Sequence, residues 1–146
     1  MIVVDASVAA KWVLIEEYST EALAVYESES REGQPALAPH LLPFEVTNII
    51  RQRMRREGRS LAEGMQLLQE FLTFPITLAS PPALHLRALE IADRHDLPAA
   101  YDAHYIALAE ILGCELWTDD QRLLRTLNGA LPFVRWIGDF IAGNDT

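Results

Sequence analysis

The stretch MIVVDAS, residues 1–7, joins a short apolar run to an acid and a hydroxyl side chain. Ile2–Val4 is β-branched and continuously apolar, which is typical of a strand buried on both faces of a parallel sheet. Asp5 interrupts the apolar run. The stretch therefore predicts a short buried strand that has an acid at its carboxyl end.

Helical and strand-like segments alternate along the rest of the chain. A helical segment is expected over about residues 7–31, with a break near 16–19, and the sequence REGQP ends it. The further expected elements are strands at 36–39, 76–79, 114–118 and 133–137, helices at about 81–95 and 100–112, and a short helix over DQRLLRTL.

Two helices between the second and third predicted strands have clear signals. The segment after Pro43 has apolar residues at helical spacing, at Phe44, Ile49 or Ile50, and Met54, and Gly58 stops it. Ser60 begins another helix, because Glu63 follows it at the spacing of a capping box. Parallel strands need crossover connections of about a dozen residues or more. Strands separated by helices therefore predict an α/β fold with a mostly parallel sheet of about five strands and helices on both faces.

Size and composition set limits on the function. The 146 residues suit one domain that can bury a core, and 50% of them are hydrophobic. Cys114 is the only cysteine, so no internal disulfide can form, and we expect a reducing, cytoplasmic setting. Asp5 interrupts the first apolar run, so we expect no signal peptide, and no apolar stretch approaches the ~20 residues of a membrane span. We therefore expect a soluble protein.

The charge is acidic overall. The net charge of −9 argues against nucleic-acid binding by charge alone, although eleven of the twelve basic residues are arginine. A polyanion would have to be bound through a local basic patch or through metal ions held by acids.

Several acids coincide with the ends of predicted elements. Asp5 and the adjacent pair Asp119 and Asp120 end strands, while Glu45 and Asp102 fall in the first turns of helices. Ligands of open parallel sheets bind at this edge. Each acid alone is explained as well by helix capping or by the helix dipole.

Taken together, these acids favour a metal site. Crowded carboxylates repel one another, and a hard cation such as Mg²⁺ or Mn²⁺ relieves the repulsion through oxygen ligands. Neither Lys11 nor Arg122 is clearly placed to neutralise the group. An acidic pocket that holds Mg²⁺ suits the chemistry of phosphate esters.

Three blocks of the chain resemble the PIN-domain family in its VapC-like toxin branch. They are IVVDASVAAKWVLIEE, LAPHLLPFEVTNII and YDAHYIALAEILGCELWTDDQRLL. The resemblance implies a three-layer α/β/α nuclease domain over residues 1–140, followed by a short tail at 141–146. It also implies a Mg²⁺- or Mn²⁺-dependent endoribonuclease toxin that acts on RNA, forms homodimers and is neutralised by a cognate antitoxin protein.

The resemblance also assigns roles to individual residues. The family's catalytic acids fall on Asp5, Glu45, Asp102 and Asp120, of which Asp5, Asp102 and Asp120 would be metal ligands. Ser7, Thr118 and, more weakly, Asn48 match polar positions that would hydrogen-bond a carboxylate or a metal-bound water. Of the tandem acids, the family block selects Asp120, because it lies two residues after Thr118. Asp119 would cap the following helix or add negative charge nearby.

An arginine cluster has two interpretations. Arg51, Arg55 and Arg59 recur every four residues and would form one stripe on the helix that carries Glu45. The stripe could be a solvated face paired with local acids such as Glu57, or a surface that contacts RNA or the antitoxin.

Two other functions stay open at this stage. A receiver-like signalling domain that accepts phosphate is also α/β and acidic, but it needs a late lysine, and Lys11 is the only lysine. A PIN-like binding module without catalysis is the other alternative, and the presence of all four acids argues against it.

Overall fold

The computed structural model describes residues 1–141, which form one five-stranded sheet with helices around it. The strand order is β3-β2-β1-β4-β5, and every neighbouring pair is parallel. The strands are β1 (Ile2–Val4), β2 (Ala36–Ala38), β3 (Thr77–Leu78), β4 (Glu115–Thr118) and β5 (Val134–Trp136). The predicted α/β class and the strand count are confirmed, and each strand except the first is shorter than predicted.

Within residues 1–141, seven α-helices connect the strands. They are α1 (Ala6–Ala9), α2 (Ser19–Arg31), α3 (Leu42–Glu57), α4 (Leu61–Leu72), α5 (Leu84–Arg94), α6 (Tyr101–Leu112) and α7 (Gln121–Leu127). Two 3-10 helices, Ala10–Trp12 and Ile137–Asp139, complete the set. No helix within residues 1–141 is long and apolar enough to cross a membrane.

The strand order gives three layers. The chain moves in one direction from β1 through β2 to β3, then crosses back to β4 and β5. Because such crossovers are right-handed, helices α1–α4 lie on one face of the sheet and α5–α7 on the other. The contacts agree, since α1 packs on α2 and α3, α3 packs on α4, and α5 packs on α6.

The predicted break in the first helical segment is wider than expected. Helix α1 ends at Ala9 and a 3-10 turn continues to Trp12, but α2 begins only at Ser19. Tyr18, just before α2, has a left-handed backbone with φ 65°. The Ser19 hydroxyl accepts a hydrogen bond from the Glu16 backbone N–H and donates one to the Leu14 carbonyl, which fixes the connection between the two helices.

The apolar face of α3 includes Ile50 and Met54, as predicted, but not Phe44. Its buried residues are Leu42, Val46, Ile50 and Met54, one every four residues. Phe44 is 75% exposed instead, because it lies about 160–200° around the helix from Leu42 and Val46. Gly58 ends the helix with φ 66°, as predicted.

The core surrounds β1, the middle strand. Val3 and Val4 are fully buried, and Trp12 and Trp117 are buried in the same core. Phe140 packs edge-on against Trp117, so the described chain stays in contact with the core almost to its end. Of the tail predicted at 141–146, residues 142–146 lie outside the described part of the chain.

Candidate active site at the carboxyl edge of the sheet

The carboxyl ends of β1 and β4 are neighbours in the sheet, and each is followed by an acid. Asp5 follows β1, and Asp119 and Asp120 follow β4. Glu45 and Asp102 lie in the first turns of α3 and α6. Asp102 is close enough to raise the pKa of both Asp5 and Glu45, and Asp120 in turn raises that of Asp102. The four predicted acids therefore form one electrostatic group.

Asp5 is the most enclosed of these acids. Its side chain caps α1, because Oδ1 accepts a hydrogen bond from the Val8 N–H at 3.1 Å. The Ser7 hydroxyl donates to the same oxygen at 2.6 Å, and the Thr118 hydroxyl donates to Oδ2. Burial outweighs these donors and raises the pKa of the Asp5 carboxyl to about 7. Ser7 and Thr118 thus both hydrogen-bond a carboxylate, which is one of the two kinds of partner that the resemblance implies for them.

Glu45 has a partner that the sequence did not reveal. The hydroxyl of Tyr105, a residue that is 1% exposed, donates to Glu45 Oε1 at 2.8 Å. Burial raises the pKa of Glu45, and this hydrogen bond partly counters the rise. Tyr105 follows Asp102 by three residues in α6, so both lie on one face of the helix. That spacing was the only sequence signal for it.

The carboxylates of Asp120 and Asp102 differ in the hydrogen bonds that they accept. Asp120 caps α7, with Oδ1 accepting from the Leu123 N–H at 3.0 Å. The Asp102 carboxylate accepts no hydrogen bond within residues 1–141, and burial is the main cause of its raised pKa. Both acids therefore keep oxygens free for a ligand.

The tandem acids after β4 point to different partners. Asp119 Oδ2 pairs with the Lys11 ammonium at 2.9 Å, and Oδ1 accepts from the Trp136 indole N–H at 2.9 Å. The Asp119 backbone N–H donates to Ser7 Oγ at 2.8 Å. The expectation that Asp119 caps the helix is wrong, because Asp120 makes the cap and Asp119 is turned toward Lys11.

The donor set fits a hard divalent cation. No basic side chain forms an ion pair with Asp5, Glu45, Asp102 or Asp120 in the part of the chain described. Within that part, no three His, Cys, Asp or Glu side chains form a ready-made metal-binding group. The oxygen donors of these acids suit a cation such as Mg²⁺, which keeps several waters and is bound by carboxylates together with a substrate phosphate.

Two further predictions concern α3. Asn48 is exposed and makes no side-chain hydrogen bond within residues 1–141, so its proposed support of the acids stays a prediction. The stripe of three arginines is wrong in one member, because Gly58 ends the helix and Arg59 lies beyond it. Arg59 pairs with Glu57 at 2.7 Å, whereas Arg51 and Arg55 are exposed and form no ion pair among the described residues.

Comparison with known proteins gives a consistent result. The family profile described as "PIN domain" matches residues 2–127. "Ribonuclease VapC9" of Mycobacterium tuberculosis is 34% identical over 132 residues, which cover 90% of this chain and 95% of that protein. "Ribonuclease VapC3" of Pyrobaculum aerophilum is 32% identical over 124 residues, which cover 84% of this chain and 91% of that protein.

A solved structure also resembles the fold. The "Crystal structure of PAE2754 from Pyrobaculum aerophilum" superposes with a TM-score of 0.64 and 27% sequence identity. The match covers 94% of this chain and 90% of the other. The similarity therefore extends over the sheet and the helices on both of its faces.

Proposed function

This chain belongs to the PIN-domain family, and we propose that it is a VapC-like endoribonuclease toxin that cleaves RNA phosphodiester bonds. The relatives that carry the name ribonuclease align with almost its whole length. The observation that carries the proposal is the group formed by Asp5, Glu45, Asp102 and Asp120 at one edge of the sheet, without a basic partner among the described residues.

PIN-domain nucleases of the VapC kind generally depend on a divalent metal ion, and we propose Mg²⁺ or Mn²⁺ here. Asp5, Asp102 and Asp120 would hold the ion. When bound, it would activate water, shield the charge of the phosphate and stabilise the leaving oxygen.

The protein's own residues would orient these groups. Ser7, Thr118 and the Val8 N–H fix Asp5, while the Leu123 N–H fixes Asp120. Tyr105 holds Oε1 of Glu45, which leaves Oε2 to take a proton from the attacking water. The raised pKa of Glu45 suits such a role, because a general base works best when its pKa is near the working pH.

The partners follow from this function. We propose a cognate antitoxin and a homodimer as for the family, and a cytoplasmic location where RNA substrates are present. Arg51 and Arg55 are candidates to contact RNA or the antitoxin, because they are exposed and form no ion pair among the described residues. Arg59 is a weaker candidate, because it already pairs with Glu57. No contact within residues 1–141 favours a receiver or a non-catalytic module.

The test is cleavage of total cellular RNA, including tRNA, with Mg²⁺ or Mn²⁺ and with EDTA. The wild type should cleave only with metal, and Asp5→Asn and Asp102→Asn should lose cleavage. Asp93→Asn is the matched control, because Asp93 is an exposed acid near the end of α5. Absence of cleavage by the wild type in all metal conditions would refute the proposal.

A further inference from the structure

A groove lies beside the carboxylate group and plays no part in the chemistry proposed above. It has a volume of about 380 Å³, within the roughly 300–1,000 Å³ of sites that bind small organic groups. Its walls include Phe44, Leu84, His85, Tyr101 and His104. Among the described residues, no Asp, Glu, Lys or Arg lines it. The groove therefore suits an uncharged, mostly apolar group.

Two aromatic rings connect this groove to the proposed active site. Phe44 and Tyr101 are 75% and 64% exposed, although both are large apolar side chains. Phe44 immediately precedes Glu45, and Tyr101 immediately precedes Asp102. The two rings are thus chain neighbours of two of the acids, and exposed apolar clusters mark binding surfaces.

A histidine pair adds a hydrogen-bonding edge to the same groove. His104 Nδ1 lies 2.7 Å from the Ala100 carbonyl, which can only accept, so Nδ1 carries the proton. Nε2 of a neutral His104 then accepts, and His85 Nδ1, at 2.9 Å, is the donor. This tautomer leaves His85 Nε2 as an acceptor that a ligand can reach, since His85 is exposed.

We propose that the groove holds an unpaired base of the RNA substrate, next to the phosphate that is cleaved. The inference rests on the proposed endoribonuclease function. The base would pack against the rings of both Phe44 and Tyr101, and His85 Nε2 would accept a hydrogen bond from its edge. Proteins recognise single-stranded RNA by such stacking and edge contacts. The phosphate would remain at the cation, because four carboxylates without a cation repel it.

A base is a better occupant than a protein segment, because two residues that line the groove, Phe44 and Tyr101, adjoin two of the acids, Glu45 and Asp102, in the chain. A base also needs no positive charge for binding, which agrees with the uncharged groove and the net charge of −9. A second copy of the chain covering these rings is the competing occupant.

Sequencing of cleavage sites in total RNA tests the proposal. The wild type should prefer one base or base class beside the cleaved bond. Phe44→Ala and Tyr101→Ala should each reduce that preference. Tyr101→Phe keeps the ring and should keep the preference. Leu89→Ala, an exposed apolar position on α5 outside the groove, is the matched control. Cleavage with an unchanged preference in both ring-deleted variants would overturn the proposal.

Binding without cleavage separates this inference from the proposed function. With Ca²⁺ in place of Mg²⁺ or Mn²⁺, a single-stranded RNA that contains 2-aminopurine should lose fluorescence on binding the wild type. Phe44→Ala and Tyr101→Ala should each weaken binding by about tenfold or more. A wild type that binds this RNA but never cuts RNA contradicts only the nuclease proposal. If the ring variants bind this RNA as tightly as the wild type does, the groove proposal is overturned. It is also overturned if these variants turn a dimer into monomers and keep the base preference.

Discussion

The Lys11 ammonium lies 2.9 Å from Oδ2 of Asp119, and this ion pair separates two consecutive acids. Burial would lower the pKa of Lys11, but its bonds to Asp119 and Glu16 raise it overall. Lys11 is 5% exposed and also donates to the Glu17 carbonyl. The charge of Asp119 is thereby compensated inside the protein, whereas Asp120 next to it has no cationic partner in the described chain.

The first prediction concerns the two acids. Asp120→Asn should reduce RNA cleavage on the order of 100-fold or more, as loss of one electrostatic stabiliser typically does. Asp119→Asn should reduce it by about tenfold or less, because the Asp119 carboxylate contacts Lys11 and Trp136 and none of the four proposed catalytic acids. Initial rates on one RNA with Mn²⁺ measure both effects. A larger loss in Asp119→Asn than in Asp120→Asn would contradict the assignment.

The second prediction concerns the stability of the ion pair. Lys11→Met should lower the free energy of unfolding by about 2 kcal/mol, less than the ~3–5 kcal/mol of a fully buried pair, because Asp119 keeps the Trp136 hydrogen bond. Urea unfolding measures the change, and Arg125→Met on exposed α7 is the control. The double variant Lys11→Met/Asp119→Asn should lose less unfolding free energy than the two single variants lose in sum. Strict additivity would show that the pair contributes nothing.

The third prediction is a pH dependence of stability. The pKa of Asp5 is about 7 in the folded chain, above the 3.8 of an ordinary Asp, so the folded state binds a proton that the unfolded state has released. Stability should therefore fall as the pH rises from about 4 to about 7, by up to about 4 kcal/mol. Urea unfolding in EDTA at about pH 5 and about pH 8 tests this window.

Asp5→Asn is the informative variant for that pH dependence. It retains an oxygen to cap α1 but cannot ionise, so its stability should change less with pH than that of the wild type. The unfolding free energy of Asp93→Asn should change with pH as much as that of the wild type. Identical slopes for the wild type and Asp5→Asn would show that Asp5 ionises normally.

The fourth prediction concerns metal addition. Mn²⁺ should raise the melting temperature of the wild type above neutral pH, because binding to the folded state alone stabilises it by about 2.7 kcal/mol at 100 times the Kd. EDTA should reverse the shift. Asp5→Asn and Asp120→Asn should show a smaller shift, and Asp93→Asn a normal one. Equal shifts in all four proteins would place the ion elsewhere.

The fifth prediction concerns Tyr105. Tyr105→Phe removes the hydrogen bond that holds down the pKa of Glu45, so that pKa should rise further. The ascending limb of the pH–rate profile should move to higher pH, while the activity at high pH stays near that of the wild type. A uniform loss at every pH would instead indicate a structural role.

The sequence predicted the elements and the acids well, because both leave local signals. Asp5 interrupts an apolar run, Gly58 stops a helix, and Ser60 begins one in a capping box with Glu63. These features depend on neighbours within a few residues. They were sufficient to place the acids at one edge of a parallel sheet.

The side-chain partners were not predictable, since they join distant parts of the chain. Lys11 meets Asp119 only because β1 and β4 are adjacent in the sheet. Tyr105 reaches Glu45 across 60 positions. The prediction of an arginine stripe failed for a simpler reason. Its four-residue spacing was continued to Arg59, which lies past Gly58 at the end of the helix.

The helix caps made by Asp5 and Asp120 determine the stage at which these two side chains become ordered. One oxygen of each carboxylate is bound by a backbone N–H, from Val8 and from Leu123. Each side chain is thus confined to one rotamer in the folded chain, whether or not a ligand is bound. The rotamer entropy of these two residues is lost during folding, so a cation or an RNA meets carboxylates that need no further ordering.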